Sequence, residues 1–315
     1  MFKLLEHRII EFGGNKIILG DKNAQETTFK SVAHAFPQSM GNRQLRTYYE
    51  CDECNYFFSM SIENCFGKYF IPLNNTMLIQ KEKGGTPTIK SEIVRQESNP
   101  KTREVIINVD VNSDNSVLQD GKIVIPGTGI EIDLAKNIVN FEYKKQPYIP
   151  IAVFKCFVKM AVSIMEPEIA DNFRETINWI RSPKHEDFYS NGRKLILTRA
   201  WMRSAIPDGS IYYWLCEGND SDVLPPRTFF YVAWGQLWCM IEIPIKMRSD
   251  DFEVNNTPIL TLLAEKTNKN KIHFFDFSNK AKIYRDSEYM SSSIIGKLKR
   301  TTPEEVASTA GSQTF

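Results

Sequence analysis

The densest run of side chains able to do chemistry lies between Ser31 and Gly67. It holds His34 and Pro37, the pair Gly41-Asn42, the basic Arg43 and Arg46, then Cys51-Asp52-Glu53-Cys54-Asn55 and, further on, Glu63. An imidazole is the side chain whose ordinary pKa lets it exchange protons near neutral pH. Two cysteines separated by two residues have the spacing of a metal-ligand pair. Arg43 and Arg46 could touch a phosphate. Each of these features also has a plain structural reading. A histidine between strand and turn is commonly a packing residue, Gly41-Asn42 suits an ordinary turn, Asn55 suits a helix start, and an arginine on a loop is ordinarily a solvated charge. What argues for more is their order and spacing within one short segment.

That order, Ala33-His34-Ala35-Phe36-Pro37, a turn with Gly41-Asn42, then Glu50-Cys51-Asp52-Glu53-Cys54-Asn55 and a helix, resembles the HNH endonucleases of the His-Me finger superfamily, in particular their bacterial members. The resemblance implies a ββα-metal site, with a hairpin presenting the histidine and the following helix presenting the asparagine. His34 would be the general base that takes a proton from water attacking a DNA phosphodiester. One Mg²⁺ or Mn²⁺, held in part by Asn55, would neutralise the phosphate and the leaving oxygen. Many members carry an acid immediately before the histidine, where this chain has Ala33. Asn55, Ser59 and Glu63 recur at four-residue spacing, one stripe of a helix, so Glu63 is the expected supporting acid, ahead of Asp52 and Glu53. Relatives often pair the downstream cysteines with an upstream Cys-x-x-Cys to hold structural Zn²⁺. Here the corresponding stretch is Ile17-Ile18-Leu19-Gly20. Cys51 and Cys54 would then need Cys65 or His7 to complete a zinc site, and packing of Ile17, Ile18 and Leu19 can replace one.

The rest of the chain narrows the function classes. Its 315 residues carry 39 Lys+Arg against 38 Asp+Glu, a formal net charge of +1, which excludes a charge-dominated, histone-like binder and leaves local nucleic-acid contacts open. Composition is that of a globular protein, with 42% hydrophobic and 24% charged residues. Gly127-Thr128-Gly129 lacks the lysine and helix of a phosphate-binding loop, and there is no Gly-x-Ser-x-Gly elbow. Trp201, Trp214, Trp234 and Trp238 with Tyr212, Tyr213 and Tyr231 could stack bases but fit a β core better. The apolar run from Ile149 to Met165 carries Lys155 and Lys159 in its middle, unlike a membrane span. A cytoplasmic protein without a membrane segment is expected.

These observations predict an α+β protein. An N-terminal ββα module (1–82), with a helix from Asp52 to Phe66 stopped by Gly67, would precede a larger α+β domain (83–315). The polar stretch 80–102 is the candidate boundary. The second domain is expected to hold a buried helix after Pro150, a helix from Pro167 to about Ile180, and an antiparallel sheet. Its expected strands are Lys194–Thr198, Ser210–Cys216, Phe229–Ile245 folded at Gly235, and Lys271–Phe277, with a frayed tail from about Thr301. The function expected from the resemblance is DNA cleavage, in restriction or anti-phage defence, by a chain acting with a partner protein or as a homodimer. The alternatives are a binding module of the same fold whose chemistry has lapsed, or an effector silent until a ligand or partner binds.

Overall fold

The computed structural model describes residues 3–4, 30–31, 33–42, 44–47, 50–77, 79, 89–90, 94–99, 104–109, 117–119, 122–125, 130–133, 135–136, 138–202, 205–207, 209–217, 227–246 and 267–293. Arg43, His7, the expected strand over 16–19 and the tail from Thr301 lie outside them. The elements in order are β1 (Lys3–Leu4), β2 (Ala33–His34), β3 (Arg46–Thr47), α1 (Asp52–Met60), α2 (Ile62–Thr76), β4 (Ile89–Lys90), β5 (Val94–Asn99) and β6 (Glu104–Val109). There follow β7 (Val117–Gln119), β8 (Lys122–Ile125), β9 (Ile130–Asp133), β10 (Ile138–Lys144), α3 (Pro150–Ser163), α4 (Pro167–Ala170) and α5 (Arg174–Arg181). The last are β11 (Ile196–Met202), β12 (Ile211–Glu217), β13 (Thr228–Trp234), β14 (Leu237–Glu242), β15 (Thr267–Asp276) and β16 (Ser287–Ser293).

The chain divides into two compact units. One comprises Met1–Asn108 and Lys144–Asp286, the other Val109–Tyr143 and Ser287–Phe315. The second unit contains a sheet in the order β16-β10-β9-β8-β7. The first contains a six-stranded sheet, β1-β12-β13-β14-β11-β15, whose neighbours run antiparallel. Mixed α and β structure with an antiparallel sheet is therefore the observed class. Among the described residues no helix is long and apolar enough to cross a membrane.

The expected turn at Gly235 is present. Trp234 pairs with Leu237 across a two-residue loop, and Gly235 takes φ +54, a region that favours glycine. Strand β13 is buried at every residue, which explains its unbroken run Thr-Phe-Phe-Tyr-Val-Ala-Trp. One face of the sheet receives the helices: Trp234 lies against Phe66 and Phe70, and Phe36 against Phe230 and Tyr213. Tyr231, Trp238 and Met240 form a cluster on the other face. Trp234, Trp238 and Tyr231 are thus core residues rather than base-stacking platforms, whereas Tyr212 is half exposed.

Two helix boundaries differ from expectation. The segment from Asp52 breaks at Ser61, whose backbone leaves the helical region (φ −109, ψ −85) and whose hydroxyl donates to the Phe57 carbonyl. The second piece, α2, runs through Gly67 and Pro72 to Thr76. Burial of Ile62, Phe66, Tyr69, Phe70 and Leu73 on one face outweighs the weak helix preference of Gly67. The expected helix from Pro167 is likewise divided into α4, a 3₁₀ turn over Asp171–Phe173, and α5. The same packing bears on the expected boundary at residue 82. Phe66 and Phe70 of α2 pack on Phe157 of α3 as well as Trp234, so residues before and after 82 share one core.

Helix α3 is apolar on every side and buried from Pro150 to Val162, Lys155 and Lys159 included. The Lys155 ammonium donates to the carbonyls of Ser182 and Lys184, just past the end of α5, and lies over the Trp179 ring. Burial lowers its pKa to about 8. Lys159 points to the hairpin, as described next.

Candidate active site

The hairpin of β2 and β3 pairs Ala33 with Thr47 and His34 with Arg46. Its loop contains Pro37, a 3₁₀ turn over Gln38–Met40 and Gly41 at φ +83. Asn42 closes it. Buried to 2% exposure, Asn42 donates through Nδ2 to the carbonyls of Phe36 (2.7 Å) and Leu45 (2.8 Å), and accepts through Oδ1 from the amides of Leu45 (2.9 Å) and Gln44 (3.2 Å). A short amide side chain that both donates and accepts thus replaces the ladder bonds missing from so short a hairpin. Asn74 of α2 anchors the loop from outside. Its Nδ2 donates to the Ser39 carbonyl (2.6 Å), and its Oδ1 accepts from Trp234 Nε1 (2.8 Å).

Helix α1 begins beside the strand that carries His34. The Asp52 carboxylate accepts from the backbone amides of Ser31 (2.7 Å) and Lys30 (3.0 Å) and from the Ser31 hydroxyl. Asn55 Nδ2 donates to the same Ser31 hydroxyl oxygen (3.2 Å). One serine, three residues before His34, is therefore clasped by the first turn of α1. Among the described residues Asn55 Oδ1 has no hydrogen-bond partner.

The His34 imidazole is half buried. Its Nε2 lies 3.1 Å from the Gln38 amide nitrogen, and its Nδ1 is buried without a partner. With that amide nitrogen donating, Nε2 accepts and the ring proton resides on Nδ1. Arg46 stands opposite His34 on the hairpin and is exposed, so its guanidinium is available to an anion on that side.

Beneath the hairpin lies a buried ionic group. The Lys159 ammonium is 2.9 Å from Glu63 Oε1 and 3.1 Å from Glu50 Oε2, and it also donates to the backbone carbonyl of His34. Burial alone would lower its pKa, but Glu63 and Glu50 beside it hold it above the ordinary lysine value. Burial pushes the Glu50 carboxyl up to about 7 against the pull of Lys159, and its Oε1 is buried without a partner. Of the two carboxyls that face this one ammonium, Glu50, the more buried, is the one that keeps its proton up to near neutral pH.

The expected site residues are thus placed as follows. His34, Arg46 and Asn55 share the hairpin and the start of the following helix. Glu63 does not continue the Asn55 stripe, because the helix breaks at Ser61, and its Oε1 is committed to Lys159. Asp52 is committed to Ser31, and Glu53 is exposed. Cys51 and Cys54 are free thiols. Burial and a hydrogen bond with Cys51 raise the Cys54 thiol to about 11. Among the described residues no three His, Cys, Asp or Glu side chains converge as a metal-holding group. Spacing does not single out Ser31, Gln38 or Lys159, and it shows neither the buried role of Asn42 nor that of Glu50. The available signal for Lys159 was its charge in the middle of an otherwise apolar helix.

Comparison with protein-family models, with curated proteins and with solved structures returns no match.

Proposed function

We propose that this protein is a metal-dependent endonuclease of the HNH type, hydrolysing phosphodiester bonds of double-stranded DNA with His34 as general base. The observation that carries this reading is the Ser31 clasp. It joins the strand bearing His34 to the first turn of the helix bearing Asn55, in the hairpin-then-helix order of the motif. His34 Nε2 takes the proton from the attacking water, which displaces the Gln38 amide that donates to this nitrogen in the structure. Arg46, exposed on the same hairpin, meets the DNA phosphate. A divalent ion, Mg²⁺ or Mn²⁺, would be held by Asn55 through Oδ1, a hard oxygen freed by the commitment of Nδ2 to Ser31, and by the Glu63 oxygen that Lys159 does not take. When bound, the ion supplies positive charge at the scissile phosphate and the leaving oxygen. Zinc on Cys51 and Cys54 finds no such support, since the pair lacks further ligands among the described residues.

The test is conversion of supercoiled plasmid by purified protein with Mg²⁺ or Mn²⁺. A His34→Ala variant should lose nicking by about 10²–10⁴-fold, the usual contribution of a general base. Equal nicking by that variant overturns the assignment. Restriction or anti-phage defence, in the cytoplasm and with a partner protein or a second copy of the chain, is the setting that the motif resemblance suggests.

A second reading, a nucleic-acid or protein binding module whose chemistry has lapsed, draws on Ala33 at the usual acid position and on the engagement of Glu63 by Lys159. Manganese titration distinguishes the two. Paramagnetic broadening at Asn55 and Glu63 supports the nuclease, and DNA binding without any such broadening supports the binding module.

A further inference from the structure

We propose that Lys159 is the positioning residue for His34: its ammonium, held in place by Glu50 and Glu63, fixes the main chain from which the imidazole projects. This inference rests on the nuclease reading for its kinetic consequence and on geometry for its structural one. A hairpin whose strands are two residues long has few ladder bonds to hold it. Asn42 orders the loop of that hairpin and Ser31 ties its entry, through hydrogen bonds to Phe36, Leu45 and Asp52. The backbone carbonyl of His34 is met from below by Lys159. That residue belongs to α3, the most completely buried helix of the unit, and is itself 1% exposed.

The ammonium has three N–H donors, and the structure supplies three acceptors: the His34 carbonyl, Glu50 Oε2 and Glu63 Oε1. These come from β2, from the residue just before Cys51, and from the first turn of α2. One buried cation therefore fixes, relative to α3, the strand bearing the base and both segments that flank α1. A buried lysine is costly without partners and rigid with a full set. An apolar residue would serve α3 as well for packing, so the charge is explained by what it holds.

A purely structural role and a positioning role make different predictions. Substituting Lys159 alone strands the buried Glu50 and the partly buried Glu63, so the informative comparison replaces all three side chains. K159M/E50Q/E63Q has a neutral interior and no donor for the His34 carbonyl, whereas K159Q/E50Q/E63Q is equally neutral and retains an amide donor. Both should melt cooperatively. Both variants lose the Glu63 carboxylate alike, so the readout is the difference between them. Relative to the Gln variant, the Met variant should show shifted and broadened His34 imidazole resonances and a kcat for plasmid nicking about 100-fold lower, the usual consequence of misplacing a catalytic group by an ångström, at the same KM. A Met variant with the His34 resonances and the kcat of the Gln variant overturns the proposal. If the unaltered protein cleaves nothing under any condition, the nuclease reading fails while the imidazole resonances still decide whether Lys159 positions His34. The unaltered protein offers a further test should neither variant fold. A scalar coupling across the hydrogen bond between Lys159 Nζ and the His34 carbonyl carbon is expected, and its absence overturns the proposal without any substitution.

Discussion

Glu50 lies next to Cys51 in sequence, is 7% exposed and shares the ammonium of Lys159 with Glu63. Its place beside the motif says nothing of this pairing, because its partner is 109 positions away in another helix, whereas the roles of His34 and Asn55 can be read from their place in a short motif. Its environment has a measurable consequence. Burial raises its carboxyl to about 7 in the fold from an ordinary value of 4.5. Between those values the native state binds more protons than the unfolded chain, so this group's contribution is fully present below the lower value and is lost as pH rises through the upper one. Over that window stability should fall by roughly 3 kcal/mol from this group alone, and Glu50→Gln should flatten the fall. Urea unfolding midpoints from about pH 5 to about pH 8 measure it, with the free energies obtained by linear extrapolation; parallel profiles for the two proteins would show that Glu50 ionises normally. Asn42 gives a second residue-scale prediction. Its side chain serves two carbonyls and two amides in a buried loop, so Asn42→Ala should cost about 2–3 kcal/mol, read as a lowered Tm, by stranding groups that water cannot reach. The sequence marks Gly41-Asn42 as a turn, which it is, but the burial that makes Asn42 expensive comes from α2 and the sheet.

At the scale of elements, the strands were the legible part and the helix ends were not. The turn at Gly235 and the continuous apolar run of β13 follow from local pattern. The extent of α2 does not, because Gly67 is a plausible helix end by local preference and becomes interior only through the aromatic face that follows it. The two glycines should therefore respond oppositely to alanine. A Cβ on Gly67 meets no heavy atom within 4 Å, and the residue is helical, so Gly67→Ala should stabilise by about 0.5–1 kcal/mol by restricting the unfolded chain. A Cβ on Gly235 would come within 2.9 Å of Met77 Sδ and 3.1 Å of Ile79 Cδ1 at φ +54, so Gly235→Ala should destabilise by about 1–2 kcal/mol. Thermal melts of the two variants check both signs. A destabilised Gly67→Ala would mean that α2 does not continue through that position.

For the whole molecule, the question is whether the motif-bearing segment is a domain. Composition favours a boundary near residue 82, since 80–102 is polar and contains Gly84-Gly85, Pro87 and Asn99-Pro100. The core argues otherwise. Phe66, Tyr69, Phe70 and Leu73 of α2 are essentially inaccessible, and their ring partners Phe157, Trp234, Tyr148 and Phe277 all lie after residue 144. Such contacts are invisible to a reading of local pattern, which finds an apolar stripe but not what covers it. Exposing those four side chains costs about 1.5–3 kcal/mol each. Their sum is comparable with the entire net stability of an ordinary domain, about 5–15 kcal/mol. The hairpin would also lose the bond from Lys159 to the His34 carbonyl, and Asn74 its partner Trp234. A fragment ending at residue 82 should therefore fail to fold alone, giving no cooperative melt, a collapsed amide spectrum and no plasmid nicking, while the full chain melts cooperatively. A fragment with a dispersed spectrum and the His34 resonances of the full chain would instead establish the motif segment as an autonomous module, with the aromatic face of α2 as a surface the rest of the chain merely covers.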